Sequence, residues 1–214
     1  MADYVLANAP ERFSIACHSM GGWVAQEVAA RAPERVSKLF LCDTWARKLP
    51  GTDEYLSGFW THAESDLDGA LRDHFSVLLH ESRYSDAAFY EQLQVWQRQM
   101  GADEYVRQLK ALQRDYSTEP LLENISADTL VIHGRQDRVV VEEEVEFLAT
   151  GIPGSGLALI EESGHCTPIE QSQAFTAVMR LWLTRGGASG VAENETMVVI
   201  LADQRPGIRF RRKR

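Results

Sequence analysis

Ser19 stands in Cys17-His18-Ser19-Met20-Gly21-Gly22, between an apolar run at residues 13 to 17 and a helical pattern at residues 20 to 32. A serine hydroxyl is a useful nucleophile where a sharp strand-to-helix turn lifts it clear of the backbone, and small residues two positions to either side let the chain bend without collision. Cys17 and Gly21 are those residues. Two later segments carry groups that could activate such a hydroxyl. Residues 129 to 133 form a β-branched run followed by Gly134 and Asp137, which reads as a buried strand delivering a carboxylate to its C-terminal edge. Residues 157 to 161 read as another strand, and after it come the tight turn Ser163-Gly164-His165-Cys166 and a helix start. Each group has a plain alternative: Ser19 as a loop residue, Asp137 as a cap on the next helix, His165 as a surface histidine. All three nevertheless fall at strand C-termini, in the chain order Ser, Asp, His.

The elements around them alternate between strand and helix, the signature of an α/β fold with a mostly parallel sheet flanked by helices. Residues 20 to 32 read as a helix with Met20, Val24 and Val28 on one face, stopped by Pro33. Residues 36 to 42 read as a strand ending in Asp43-Thr44, so Asp43 is a rival carboxylate. Residues 47 to 118 break the alternation. They contain no convincing strand, and Leu67, Leu71, Phe75 and Leu78 share one helical face, Phe89, Leu93, Trp96 and Met100 a second, Val106, Leu109 and Leu112 a third. This segment reads as an inserted helical cap. After the strand at 129 to 133, Val141, Val145 and Leu148 mark a helix ended by Gly151. Residues 157 to 161 are the last expected strand. The final helix opens on Thr167-Pro168-Ile169-Glu170, a capping box with Pro at its first position, and packs through Phe175, Val178 and Trp182. The expected organisation is a core from residues 1–46 and 119–185, a helical cap at 47–118, and a tail at 186–214. The tail opens with linker composition and has five basic residues among its last six; it reads as poorly ordered, or as a contact for an anionic partner.

On the strand, elbow, helix and strand of residues 13 to 44, and on residues 129 to 183, the chain resembles the α/β-hydrolase superfamily, within it the small esterase, lactonase and acyltransferase-like branch. The resemblance covers about residues 1 to 185 and implies a partial α/β-hydrolase fold with a Ser19, Asp137, His165 triad. It also implies an oxyanion donor in the Met20 backbone N–H, and a cap that shapes the acyl pocket. His18, Trp45, Phe59, Trp60 and Trp96 are then the candidates for contacting substrate; the alternative is packing beside the nucleophile for His18 and cap core for the aromatics. Some family members place the carboxylate where Asp43 stands, but Gly134-x-x-Asp137 matches the pattern better. Cys17 replaces the family's first elbow glycine, and its buried thiol is expected to stay protonated. Family members also carry several strands and a donor-bearing loop before the elbow, where this chain has about a dozen residues. It is therefore expected to be N-terminally shortened, or completed by another segment or subunit. The functions implied are a serine hydrolase cleaving a small carboxylic ester, lactone or thioester through an acyl-enzyme, an acyltransferase using the same triad, or a catalytically silent interaction protein.

Composition narrows the setting. With 214 residues, 44% of them hydrophobic and 25% charged, the chain can bury one sizeable core in one or two domains. No apolar stretch approaches the roughly 20 residues a membrane span needs, and residues 1 to 10 lack a signal-peptide layout, so the cytoplasm is expected. Cys17, Cys42 and Cys166 are odd in number and widely spaced, which argues against a disulfide framework. The net charge of -9 disfavours nucleic acid. No metal-ligand spacing appears, no cofactor is expected, and the glycines at 151 to 156 are wrongly spaced for a phosphate loop. His62, His74 and His80 read as solvated or packed. The expected partner is a small acyl substrate; without upstream strands the elbow strand would offer an open edge to a second copy of the chain.

Overall fold

The computed structural model describes residues 1–48, 51–184, 196–200 and 209–211. In chain order the elements are α1 (Ala2–Asn8), β1 (Phe13–His18), α2 (Gly21–Arg31), β2 (Val36–Cys42), α3 (Thr52–Ser65), α4 (Leu67–Leu78), α5 (Ala87–Met100) and α6 (Ala102–Leu112). There follow β3 (Asp128–Gly134), α7 (Glu142–Gly151), β4 (Gly156–Ile160), α8 (Thr167–Glu170), α9 (Ser172–Thr184), β5 (Thr196–Ile200) and β6 (Arg209–Arg211).

The sheet runs β4-β3-β2-β1-β5-β6, with β1 to β5 parallel and β6 antiparallel. The three central strands are apolar on both faces, as parallel strands covered by helices must be. Their residues divide with period two. Ile15, Leu39, Leu41 and Val131 pack with Val24 and Val28 of α2 and Val145 and Leu148 of α7, whereas Ala16, Phe40, Leu130 and Ile132 pack with Trp182 of α9. Register pairs His18 with Cys42, Cys42 with Ile132, and Gly134 with Ile160. Parallel pairing therefore sets the turns after β1, β2, β3 and β4 side by side along one rim.

Between β2 and β3 four helices, α3 to α6, build a separate apolar cluster around Leu71, Phe75, Leu93, Val106 and Leu109. The three expected faces fall on α4, α5 and α6; α3, which buries Leu56 and Ala63, is additional. No helix among the described residues is long and apolar enough to cross a membrane.

Several expectations need correction. The strand at 157–161 is not the last: Thr196–Ile200 pairs with β1 from Phe13↔Thr196 to Cys17↔Ile200. Unpaired N–H and C=O groups beside a buried apolar strand need partners, and this β-branched run supplies them. Residues 196–200 and 209–211 of the expected tail thus lie in strands, and the β1 edge offered to a second copy is covered by the chain itself. The rest of the tail lies outside the described residues. The carbonyl oxygen of Ile200 would sit 2.6 Å from a Cβ on Gly21, so the first turn of α2 can approach β5 only as glycine. Val141 is the exposed N-cap of α7 rather than part of its packing face. The final helix is broken at Gln171 into α8 and α9, Cys166 is the N-cap of α8, and the Thr167 side chain makes no capping bond because it is held elsewhere.

Candidate active site

Ser19 follows β1 with a φ of 51°, a left-handed conformation that a non-glycine residue keeps only under constraint. The constraint comes from its neighbours. Its N–H donates to the Cys42 carbonyl (3.0 Å), while its own carbonyl accepts from the Gly22 N–H (2.8 Å) and the Thr44 hydroxyl (2.8 Å). The turn after β3 is closed by the Asp137 N–H donating to the Gly134 carbonyl (3.0 Å). Asp137 Oδ1 then accepts the N–H groups of Val139 (2.7 Å) and Val140 (3.1 Å), which leaves Oδ2 aimed at His165. The loop after β4 is pinned at both sides of His165. The His165 N–H donates to the Leu78 carbonyl at the end of α4 (2.6 Å), and its carbonyl accepts from His18 Nε2 (2.6 Å).

The three buried side chains meet in line. His165 Nδ1 is 2.7 Å from Asp137 Oδ2, and His165 Nε2 is 2.9 Å from Ser19 Oγ. A ring that donates through Nδ1 to a carboxylate presents Nε2 as the acceptor for a hydroxyl proton. The sequence-derived trio is thus brought together, and the plain alternative for Asp137 does not hold, since α7 begins after Val141 with no side-chain cap.

Asp43 lies outside this relay. It is fully buried with a φ of 46°, and its carboxylate accepts the Gly134 N–H (3.0 Å), the Thr167 N–H (3.1 Å) and the Thr167 hydroxyl (3.0 Å). Burial by itself would raise its pKa. The imidazoles of His133 and His18, each 3.5 Å away, outweigh that and hold it well below the usual carboxylate range. His18 responds in the opposite sense: burial depresses it, and the Asp43 carboxylate more than offsets this, leaving its pKa raised. Glu170, the expected partner of a Thr167 cap, instead accepts N–H groups from Gly164 (3.0 Å), Cys166 (3.1 Å) and His80 (2.6 Å), and so braces the turn that carries His165.

Among the described residues, Asp43, His133 and Asp137 place ligand-type atoms within 4.8 Å of one another. Each oxygen of both carboxylates already accepts an N–H or O–H donor, which a cation would have to displace. Burial pushes the thiols of Cys17 and Cys42 up, which keeps both in the unreactive protonated form.

A cavity of about 640 Å³ opens onto Ser19 and His165. His18, Trp45 and Trp96 line it as expected, and Phe59 and Trp60 do not. Phe59 packs its ring on Tyr55 and His74, and Trp60 lies beneath the Lys110 ammonium, one layer behind the wall. Tyr55, His74 and Tyr105, none of them anticipated as lining, stand in their place. A signal existed in the spacing: His74 follows Leu71 by three and precedes Leu78 by four, so it rides the apolar stripe of α4.

A family model described as the alpha/beta hydrolase fold matches residues 7–172. A 2-hydroxymuconate semialdehyde hydrolase of Pseudomonas putida is 29% identical over 185 residues, covering 80% of this chain and 62% of that protein. The chain thus spans less than two thirds of that relative's length. A pimeloyl-[acyl-carrier protein] methyl ester esterase of Neisseria meningitidis is 28% identical over 188 residues, covering 84% of this chain and 72% of that one. Among solved structures, a thermophilic esterase from Thermogutta terrifontis superposes with a TM-score of 0.70 at 26% identity, over 85% of this chain and 67% of its own.

Proposed function

Since the chain belongs to the alpha/beta hydrolase fold family, we propose that it is a serine hydrolase that cleaves a small carboxylic ester, lactone or thioester through an acyl-enzyme. The observation that supports this reading is the continuous line from Asp137 Oδ2 through the His165 ring to Ser19 Oγ, opening on an apolar cavity. In the first step Ser19 Oγ attacks the acyl carbon while its proton moves to His165 Nε2, and Asp137 steadies the imidazolium. The Met20 N–H, next after the nucleophile, donates to the oxyanion. The tetrahedral intermediate collapses as the bond to the leaving group breaks, and that group takes the proton from Nε2. Water then repeats the sequence on the acyl-Ser19 ester and releases the acid. The helices α3 to α6 act as the cap over the acyl group.

The test is labelling by a fluorophosphonate probe, followed by hydrolysis of nitrophenyl esters. Wild type is expected to label and to turn over, with both signals lost in Ser19→Ala and His165→Ala. A wild type that neither labels nor hydrolyses any ester overturns the reading in favour of the silent one.

A further inference from the structure

Resting on the hydrolase reading, we propose that the cavity selects an acyl group that is apolar along its length and carries one uncharged hydrogen-bond acceptor, a ketone or ester carbonyl, where it meets His74 and Tyr105. These residues come from α4 and α6 and line the cavity that holds Ser19 and His165. The Tyr105 hydroxyl lies 2.5 Å from His74 Nδ1. A neutral pair of this kind has two mobile protons and spends one on the bond between them. If tyrosine donates, Nε2–H is left over; if Nδ1 donates, the O–H is left over. Among the described residues no acceptor takes that remaining proton, so a donor faces the cavity in either arrangement.

The pair stays uncharged. Burial, with the His165 imidazole adding to it, pushes the His74 pKa down to about 3, and burial raises that of Tyr105. The rest of the wall is mostly apolar, with Leu56, Phe75, Leu93 and Leu109, and the other polar side chains there, Tyr55, Gln99 and Gln108, are uncharged. None of the described lining residues is Lys, Arg, Asp or Glu. A carboxylate brought there would lose its hydration with no cation beside it, whereas a carbonyl would gain a hydrogen bond at little desolvation cost. The size fits a chain longer than acetyl, since a cavity of about 640 Å³ falls in the range of whole small-molecule sites. His74 also lies four residues before Leu78, whose carbonyl holds His165, roughly 6 Å along the α4 axis.

The experiment uses three ligand sets matched in chain length: plain fatty esters, keto esters with the carbonyl near the chain end, and half-esters of dicarboxylic acids. Binding of the methyl esters to Ser19→Ala is measured by calorimetry, and turnover of the nitrophenyl esters by wild type is measured separately. Ser19→Ala is expected to bind the best keto ester about five- to tenfold more tightly than its plain match. It is expected to bind the half-ester at least about a hundredfold more weakly than the keto ester. Tyr105→Phe and His74→Phe, each introduced into Ser19→Ala, should bring the keto-to-plain ratio close to one. Equal binding of plain and keto esters, preference for the half-ester, or a ratio untouched by both substitutions overturns the proposal. The turnover arm keeps the two readings apart: hydrolysis without keto preference sinks the selectivity alone, and keto preference in binding without hydrolysis sinks the hydrolase reading alone.

Discussion

The carboxylate of Asp43 accepts both the backbone N–H (3.1 Å) and the hydroxyl (3.0 Å) of Thr167, which ties the end of β2 to the first turn of α8 two residues past His165. The histidine therefore hangs from a clamp whose side chains bond to none of Ser19, Asp137 and His165. Replacing Thr167 by Val keeps the shape and deletes the hydroxyl, leaving a buried carboxylate one donor short. We expect a loss of about 1–3 kcal/mol in stability by denaturant titration, and a fall in kcat of about tenfold or more with little change in KM, as a displaced base would give. Thr167→Ser should restore most of both. An unchanged kcat in Thr167→Val would show that the clamp does not position His165.

The same carboxylate sets an acid limit on stability. Its pKa is lowered on folding from the ordinary 3.8, so the stability it contributes is fully present above that value and is lost as pH falls through the lower folded value. Asp43→Asn is expected to be less stable than wild type near neutrality and to show a shallower decline below about pH 4. Parallel curves in thermal melts across that range would contradict this account.

Asp137 should matter through the ring it orients. With Asn at 137 the amide nitrogen can face Nδ1 and favour the tautomer that carries its proton on Nε2, which cannot accept from Ser19. The expected drop in kcat is about 10⁴-fold, with folding intact by circular dichroism. A drop of only a few-fold would mean that Asp43 or another carboxylate takes over the role.

What could be read from the sequence and what could not divide along physical lines. Ser19, Asp137 and His165 were legible because each follows a short apolar strand and sits at a tight turn, so local pattern alone put all three on one rim. The place of β5 was not, because strand order is decided by which edge is left unpaired, and nothing within residues 196–200 names its neighbour. Among the helices, periodicity located α4, α5 and α6 but not which side of each faces the cavity. Phe59 and Trp60 pack behind the wall, as their cap-core alternative has it, while His74, which reads in the sequence as solvated or packed, lines the cavity. Thr167 and Glu170 match a helix-start motif, yet each side chain also serves a partner far away in sequence, Asp43 and His80, that no local motif could reveal.

The bond from the His165 N–H to the Leu78 carbonyl has a wider implication. Arg138, beside Asp137, donates to the Leu79 carbonyl (3.0 Å), and Glu170 takes the His80 N–H (2.6 Å), so three successive residues at the end of α4 brace the turns that carry Asp137 and His165. On the proposed reading, the helices over the cavity are for that reason not an interchangeable module. A chimera that borrows these helices from a cousin to alter its diet would unseat the base along with the old pocket, and evolution of new selectivity here has to proceed side chain by side chain beneath a fixed α4 terminus.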